Sequence, residues 1–445
     1  MNVRGLILLV VLGVPAALLL ALGPREQQAI PADRVIVRYW EKWTGVERQA
    51  IERLVTRFNE TLGAERGIWV DYNAVSNVDQ RMLIATAGGD PPDLAGLFDY
   101  IVPQYAEQNA ILPLDELVRE YGIDVPAFEP IWLDICRYQG RLYALPSTPF
   151  TLALFYNRRL YAEAGLDPNH PPETTAELNE YALRLTKKDD AGQVTQLGFT
   201  VSPGMLGWWH WVYPCYFDAR LWDGTQCHVD TPAGRAAFTW IADYRARVNN
   251  TEVLKFEATA GAIEGAQNPF LSERLTMVLQ GPWVANWAAK YTPDLDYGVA
   301  PFPSVSRERR NVFASADVFV IPRGAKQPHE AMVFLAWLLQ QPHLEELCQL
   351  HGKVSPFRTP GPDFFAAHPN PHIRVFAEMA RSPDAFGYPS MPMWTEASAQ
   401  LLAMLEDVLR GKSTVDAAVP AGQARVDRIV ADYQRKAARH RGGGS

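Results

Sequence analysis

VIVRYWEKWTGVERQAIERLVTRFNETLGAERGIWVDYNAVSNVDQRMLIATAGGDPPDLAGLF, Val35 to Phe98, decides the fold. Val35–Tyr39 reads as a short β-branched strand. From Glu47 to Leu62 the apolar residues Ile51, Leu54, Val55 and Phe58 recur on one helical face. Ile68–Tyr72 reads as a second strand, Asp79–Ala87 as a helix and Asp93–Phe98 as a third strand. Strand and helix alternate, which predicts an α/β fold with a parallel sheet and helices on both faces. In such sheets ligands bind beyond the carboxyl ends of the strands. That rule points to Trp40–Gly45 after the first strand and to Asp99 and Tyr100 after the third.

The alternation continues outward. Ala153–Tyr156 is strand-like, and Thr175–Leu185 is helical after Pro171-Pro172. Thr231 reads as the cap of a helix that enters through Pro232 and runs to Val248. Pro328–Gln341, Trp394–Arg410 and Val426–His440 read as amphipathic helices, and the tail RGGGS as flexible. The chain has no internal repeat and no long low-complexity linker. Its 445 residues suggest two or three domains, so two lobes must be joined by several short crossings.

The run GWWHWVYPCYF, Gly207 to Phe217, follows neither a helical nor a strand period. Large flat rings beside Pro203, Gly204, Gly207 and Pro214 suit a wall that presents ring faces to a ligand with hydroxyls and C–H surfaces, such as a sugar. A buried aromatic cluster explains the same run.

A net charge of −8, with no Lys/Arg stripe, argues against nucleic acid. Arg4 precedes an uncharged run from Gly5 to Leu22, read as an export element. At eighteen residues it is just long enough to span a bilayer, and Pro24 spoils the best cleavage site. A membrane anchor is therefore expected in preference to a cleaved signal. Cys215 and Cys227 flank YFDARLWDGTQ, and their spacing of twelve fits a hairpin disulfide worth about 3 kcal/mol. Cys136 and Cys348 read as buried thiols. GxSxG and HExxH are absent. Glu406 stands where a P-loop ending Gly411-Lys412-Ser413 needs glycine. His368 and His372 are separated by Pro369 and Pro371, which forbid the helix that would align them. No cofactor or metal is expected. Carboxylates such as Glu41 and Asp99 leave a glycosidase only as a distant alternative.

Five phrases in order resemble the extracellular solute-binding proteins of carbohydrate ABC transporters, in the maltodextrin-binding-like branch. They are GGDPPDLAGLFDYIVPQYAEQNAILPLDEL (Gly88–Leu117), GRLYALPSTPFTLALFYNRRLYAEAGLDPNHPPETTAEL (Gly140–Leu178), ERLTMVLQGPWVANW (Glu273–Trp287) with DYGVAPFP, VFVIPRGAKQPHEAMVFLAWLL (Val318–Leu339) and MPMWTEA (Met391–Ala397). The resemblance implies a two-lobed clamp, each lobe a mostly parallel sheet flanked by helices. One lobe would comprise residues 33–147 and 312–353 and the other 148–311 and 354–440, with 1–32 as signal or anchor and 441–445 as tail. It implies three crossings, near Ser147–Phe150, Asn311–Ala314 and Gly352–Phe357, with Ser147, Thr148 and Pro149 as a hinge. It also implies a non-catalytic, monomeric protein outside the cytoplasmic membrane that delivers a carbohydrate to a permease. Trp283 and Trp394 match cleft aromatic positions. Trp43, Glu41, Asp99 and Tyr100 are further candidate contacts. Trp40 is a candidate that competes with a place in the lobe core. Trp208 or Trp209 is expected in the cleft with Trp211 in the core, and Arg358 is a candidate hydroxyl ligand. A glycerol-phosphate carrier or a sensor partner of the same fold is the alternative. Phosphate would want a cationic cleft, which these positions do not supply.

Overall fold

The computed structural model describes residues 30–201, 209–259 and 265–442. The export run at 5–22 and Trp208 lie outside the described residues. Among those residues no helix is long and apolar enough to cross a membrane.

The opening alternation folds as its periodicity requires. Strands β1 (Val35–Glu41), β2 (Ile68–Ala74) and β3 (Leu94–Phe98) lie parallel, with β1 between the other two. The helix Gly45–Glu60 buries Ile51, Leu54, Val55 and Phe58. Fully burying side chains of this size contributes about 1.5–3 kcal/mol each. The strands β4 (Leu145–Thr151) and β5 (Ala153–Asn157) follow, and then β6 (Met277–Gln280), β7 (Tyr297–Pro301), β8 (Val312–Val320) and β9 (Ala385–Phe386). β8 runs antiparallel to β3 and to β4, and β9 joins its far end in parallel. This completes a six-stranded sheet.

The second sheet differs from the expected mostly parallel one. β6 and β7 flank β5, and both run antiparallel to it. The reason is visible in the connection. β6, the helix Val284–Tyr291 and β7 form a βαβ unit whose two strands point the same way. Between them lies β5, which arrives from more than a hundred residues earlier and points the other way.

Two apolar cores define two lobes. The first gathers residues from Val37 to Leu145 apart from Trp132, together with Ala316–Leu347 and Phe357. The second gathers Trp132, Leu152 to Ala314, Cys348, Val354 and residues from Phe364 to Val430. The chain passes between them three times. β4 carries it from Leu145 to Leu152, with Ser147, Thr148 and Pro149 in between. β8 carries it back between Ala314 and Ala316, in the middle of one continuous strand that no break in the sequence marks. The third passage lies between Leu347 and Phe364.

Several helix ends follow their sequence signals. Thr231 accepts from the Gly234 amide at 3.0 Å and opens the helix Pro232–Val248. Thr174 and Glu177 form a capping box at Thr175–Leu185. The apolar run after Pro328 is divided into Pro328–Leu338 and Gln341–Leu350, because Pro342 starts a new helix. The last helix begins earlier than expected, at Val415, and runs to Gly442, taking in the first two residues of the supposed tail.

The Cys215–Cys227 disulfide is not formed; both are buried free thiols. The segment closes instead through its backbone. Trp222 and Cys227 bridge, and His228 N–H donates to Leu221 O at 2.8 Å. Burial pushes both thiols well above their usual range.

Candidate interlobe binding site

At the carboxyl ends of the first lobe's strands lies a buried network of charge. Glu41 ends β1 and is fully buried, and Tyr39 donates to its Oε2 at 2.8 Å. Lys42 reaches Glu41 at 3.1 Å and Asp317 at 3.0 Å, and its ammonium sits 4.7 Å from the Phe98 ring centre. Asp317 also accepts from Lys353 at 2.6 Å, Thr148 at 2.8 Å and Trp43 Nε1 at 3.4 Å. Burial alone would raise the Asp317 carboxyl. The two ammonium groups outweigh that and hold it well below the usual carboxylate range. Burial raises the Glu41 carboxyl, with Lys42 opposing.

Gly96 makes this packing possible. A Cβ there would lie 1.6 Å from Glu41 Oε2. Gly96→Ala is therefore expected to cost about 1–3 kcal/mol, because a buried carboxylate must be displaced. Urea denaturation measures it; a loss under 0.5 kcal/mol would show that the carboxylate moves freely.

Asp99 stands apart from the two lysines. It is 3% exposed and accepts from Ser315 Oγ and from the Tyr100 amide, each at 2.9 Å, while Oδ2 has no partner. It lies against the crossing strand β8. Burial, with Asp317 adding to it against the Ser315 hydrogen bond, raises its carboxyl to about 7. The unfolded chain loses that proton near pH 4. The native state keeps it to about 7, so Asp99 favours folding most below pH 4 and progressively less up to pH 7. Asp99→Asn removes that slope. Relative to the parent, the variant's melting temperature is expected to rise between pH 4.5 and 7.5; a constant difference would contradict the assignment.

The second lobe supplies the rings. Trp283 follows Gly281-Pro282 and begins the helix Val284–Tyr291. Its half-buried indole folds back over Gly281, where a Cβ would lie 2.2 Å from the ring. The indole Nε1 donates to Gln280 at 3.2 Å. Trp209 stacks on Trp283 with centroids 5.6 Å apart and planes at 21°. Phe150, on the first crossing, meets Trp283 edge-on at 5.0 Å, and Lys353 lies 5.9 Å from the Phe150 ring centre. The charged network and the paired indoles are thus joined through Phe150 and Lys353. The lobes also touch where Tyr100, stacked on Phe98, lies 5.1 Å from Tyr388.

Other expected contacts are placed differently. Trp43 is buried against His351 and Phe319 in the first core, and Trp40, offered as a contact or as a core residue, is half-buried and packs against the same core. Trp394 is 3% exposed, set edge-on to Trp211 at 5.0 Å, and forms part of the wall behind the site. Trp211 packs into the core among Phe313, Phe386 and Tyr388. Arg358 is exposed, and its Nε donates to the Phe128 carbonyl at 3.1 Å, on the first lobe and away from the rings. Sequence reasoning missed Asp317, Lys353, Phe150 and Tyr388. Asp317 alone left a signal, as the only charged residue in the strand VFASADVFV.

Fold and site define a two-lobed binding protein with an aromatic face opposite a polar one. Over residues 44–342 the chain matches the model of the bacterial extracellular solute-binding proteins, and it belongs to that family. A putative binding protein of Brucella abortus is 23% identical over 364 residues, covering 79% of this chain and 82% of that one. The sn-glycerol-3-phosphate-binding periplasmic protein of Salmonella paratyphi A is 26% identical over 201 residues, 42% of this chain and 41% of that one. A binding protein solved with mannobiose bound shares the fold with a TM-score of 0.77 at 24% identity, covering 88% of this chain and 100% of that chain.

Proposed function

We propose that this chain binds a carbohydrate between its lobes and presents the closed complex to the permease of an ABC importer. The Trp283–Trp209 pair carries the reading. Two indoles stacked with a half-buried outer ring offer flat apolar area to the C–H face of a pyranose. Tyr100 and Lys42 on the opposite lobe supply polar groups for hydroxyls. Binding makes no bond and breaks none; a ligand that touches both lobes favours the closed state by its differential affinity. A phosphate cargo fits less well, because Lys42 and Lys353 are already neutralised by Glu41 and Asp317. The protein acts as a monomer outside the cytoplasmic membrane, held there by residues 5–22. N-terminal sequencing of the exported protein tests the anchor, and a start after Gly23 or Ala32 would refute it.

A thermal-shift series with mannobiose, maltotriose and sn-glycerol 3-phosphate decides the cargo class. A bound ligand raises the melting temperature by mass action, by about 2.7 kcal/mol of stability at a hundredfold excess over Kd. A shift with either sugar and none with the phosphate is expected. A shift with the phosphate alone would replace this reading with the carrier alternative.

A further inference from the structure

The three crossings converge on one side chain. β8, the second crossing, carries Asp317 at a register shift between Ala316 and Val318, where its pairing with β4 slips. Such a bulge re-aims a side chain out of the regular alternation. The first crossing reaches the carboxylate through the Thr148 hydroxyl at 2.8 Å, and the third through the Lys353 ammonium at 2.6 Å. Lys353 also donates to Thr148 at 3.2 Å, so the first and third crossings are tied to each other as well. Lys42, from the loop after β1, takes the other carboxylate oxygen at 3.0 Å. Asp317, Lys353 and Thr148 are 4%, 4% and 0% exposed. Each tie therefore lies in a low-dielectric setting, where charge-assisted hydrogen bonds are strong and directional.

We propose that Asp317 is the pivot of the clamp, a positioning residue that holds all three crossings at a common point and so confines lobe motion to rotation about it. Backbone pairing cannot do this alone. β4 and β8 are laddered to each other, whereas the third crossing touches them through single contacts: Val354 N–H to Pro149 O at 3.2 Å, Cys348 Sγ to Ser147 O at 3.6 Å and the Lys353 ion pair. The ion pair is the strongest of these. The same ammonium lies by Phe150, which abuts Trp283, so the pivot and the aromatic face share a side chain. The inference rests on the movement of two lobes and is independent of which ligand they close on.

The test uses full-length, ligand-free protein with spin labels at Glu60→Cys and Arg247→Cys, exposed positions on opposite lobes. The native thiols are buried and escape labelling. Pulsed electron resonance reads the distribution of interlobe distances. Lys353→Met is expected to broaden it at least twofold, and Thr148→Val, which keeps the side chain's shape and the ties of Lys42 and Lys353 to Asp317 but removes the hydroxyl's bonds to Asp317 and Lys353, by a smaller amount. Arg57→Met, which removes a surface pair with Glu346 within the first lobe, is expected to leave the width unchanged. If Lys353→Met does not melt cooperatively, Thr148→Val is read in its place. An unchanged width in the variant read, or equal broadening by Arg57→Met, would overturn the pivot. Because no ligand is added, failure here is distinct from failure of the sugar series.

Discussion

Asp317→Ala is expected to cost about 3–5 kcal/mol of folding stability, the loss typical of leaving a buried charge without its partner. Lys42 would keep Glu41 at 3.1 Å. Lys353 would keep only the Thr148 hydroxyl and, at 3.8 Å, Glu47. The cost comes mainly from that stranded ammonium and only partly from the lost attraction. It follows that Asp317→Leu combined with Lys353→Met should recover much of the loss, since well-packed apolar substitutes for buried pairs are often neutral or better. Guanidinium denaturation of the single and double variants checks both statements. A single-variant loss below 1 kcal/mol would mean that water reaches Lys353. Asp317 also sets a pH limit. Its carboxyl is lowered in the native state, so its contribution is present above about pH 4 and is lost as acid protonates it. Asp99 works in the opposite direction over pH 4 to 7, and the two effects should be separable in Asp99→Asn.

Trp283→Ala is expected to weaken carbohydrate binding by roughly tenfold or more, taking an aromatic anchor as worth about 2 kcal/mol. The fold should survive, because the ring is half-buried and makes no cap bond to the helix that starts after Gly281-Pro282. Trp209 would lose its stacking partner, and Phe150 would lose its edge contact. Calorimetry with the sugar that gives the larger thermal shift measures the change. An unaltered affinity in a cooperatively melting variant would remove Trp283 from the site.

The first lobe was readable because its code is local. Ile51, Leu54, Val55 and Phe58 announce a helix face, and β1 and β3 announce strands by composition. The GPW turn likewise placed Trp283 at a strand end. Identical chemistry elsewhere could not be sorted by pattern. Trp43 and Trp394 carry the same ring as Trp283, yet both are buried, one against His351 and Phe319 and the other against Trp211. Cys215 and Cys227 had a disulfide's spacing, but they are buried free thiols.

The amino-acid order alone announced an α/β protein and an indole after Gly281-Pro282, and its family phrases implied two lobes. Periodicity, turn residues and family phrases are properties of neighbouring residues. Only the tertiary structure decided the antiparallel sheet of the second lobe, the stacking of Trp209 on Trp283, and the meeting of Thr148, Lys353 and Lys42 on Asp317. Those depend on residues 169, 36 and 275 positions from Asp317, or on a strand inserted from far upstream. Contacts at such separations are chosen by the packing of the whole chain, and no short window of sequence contains them.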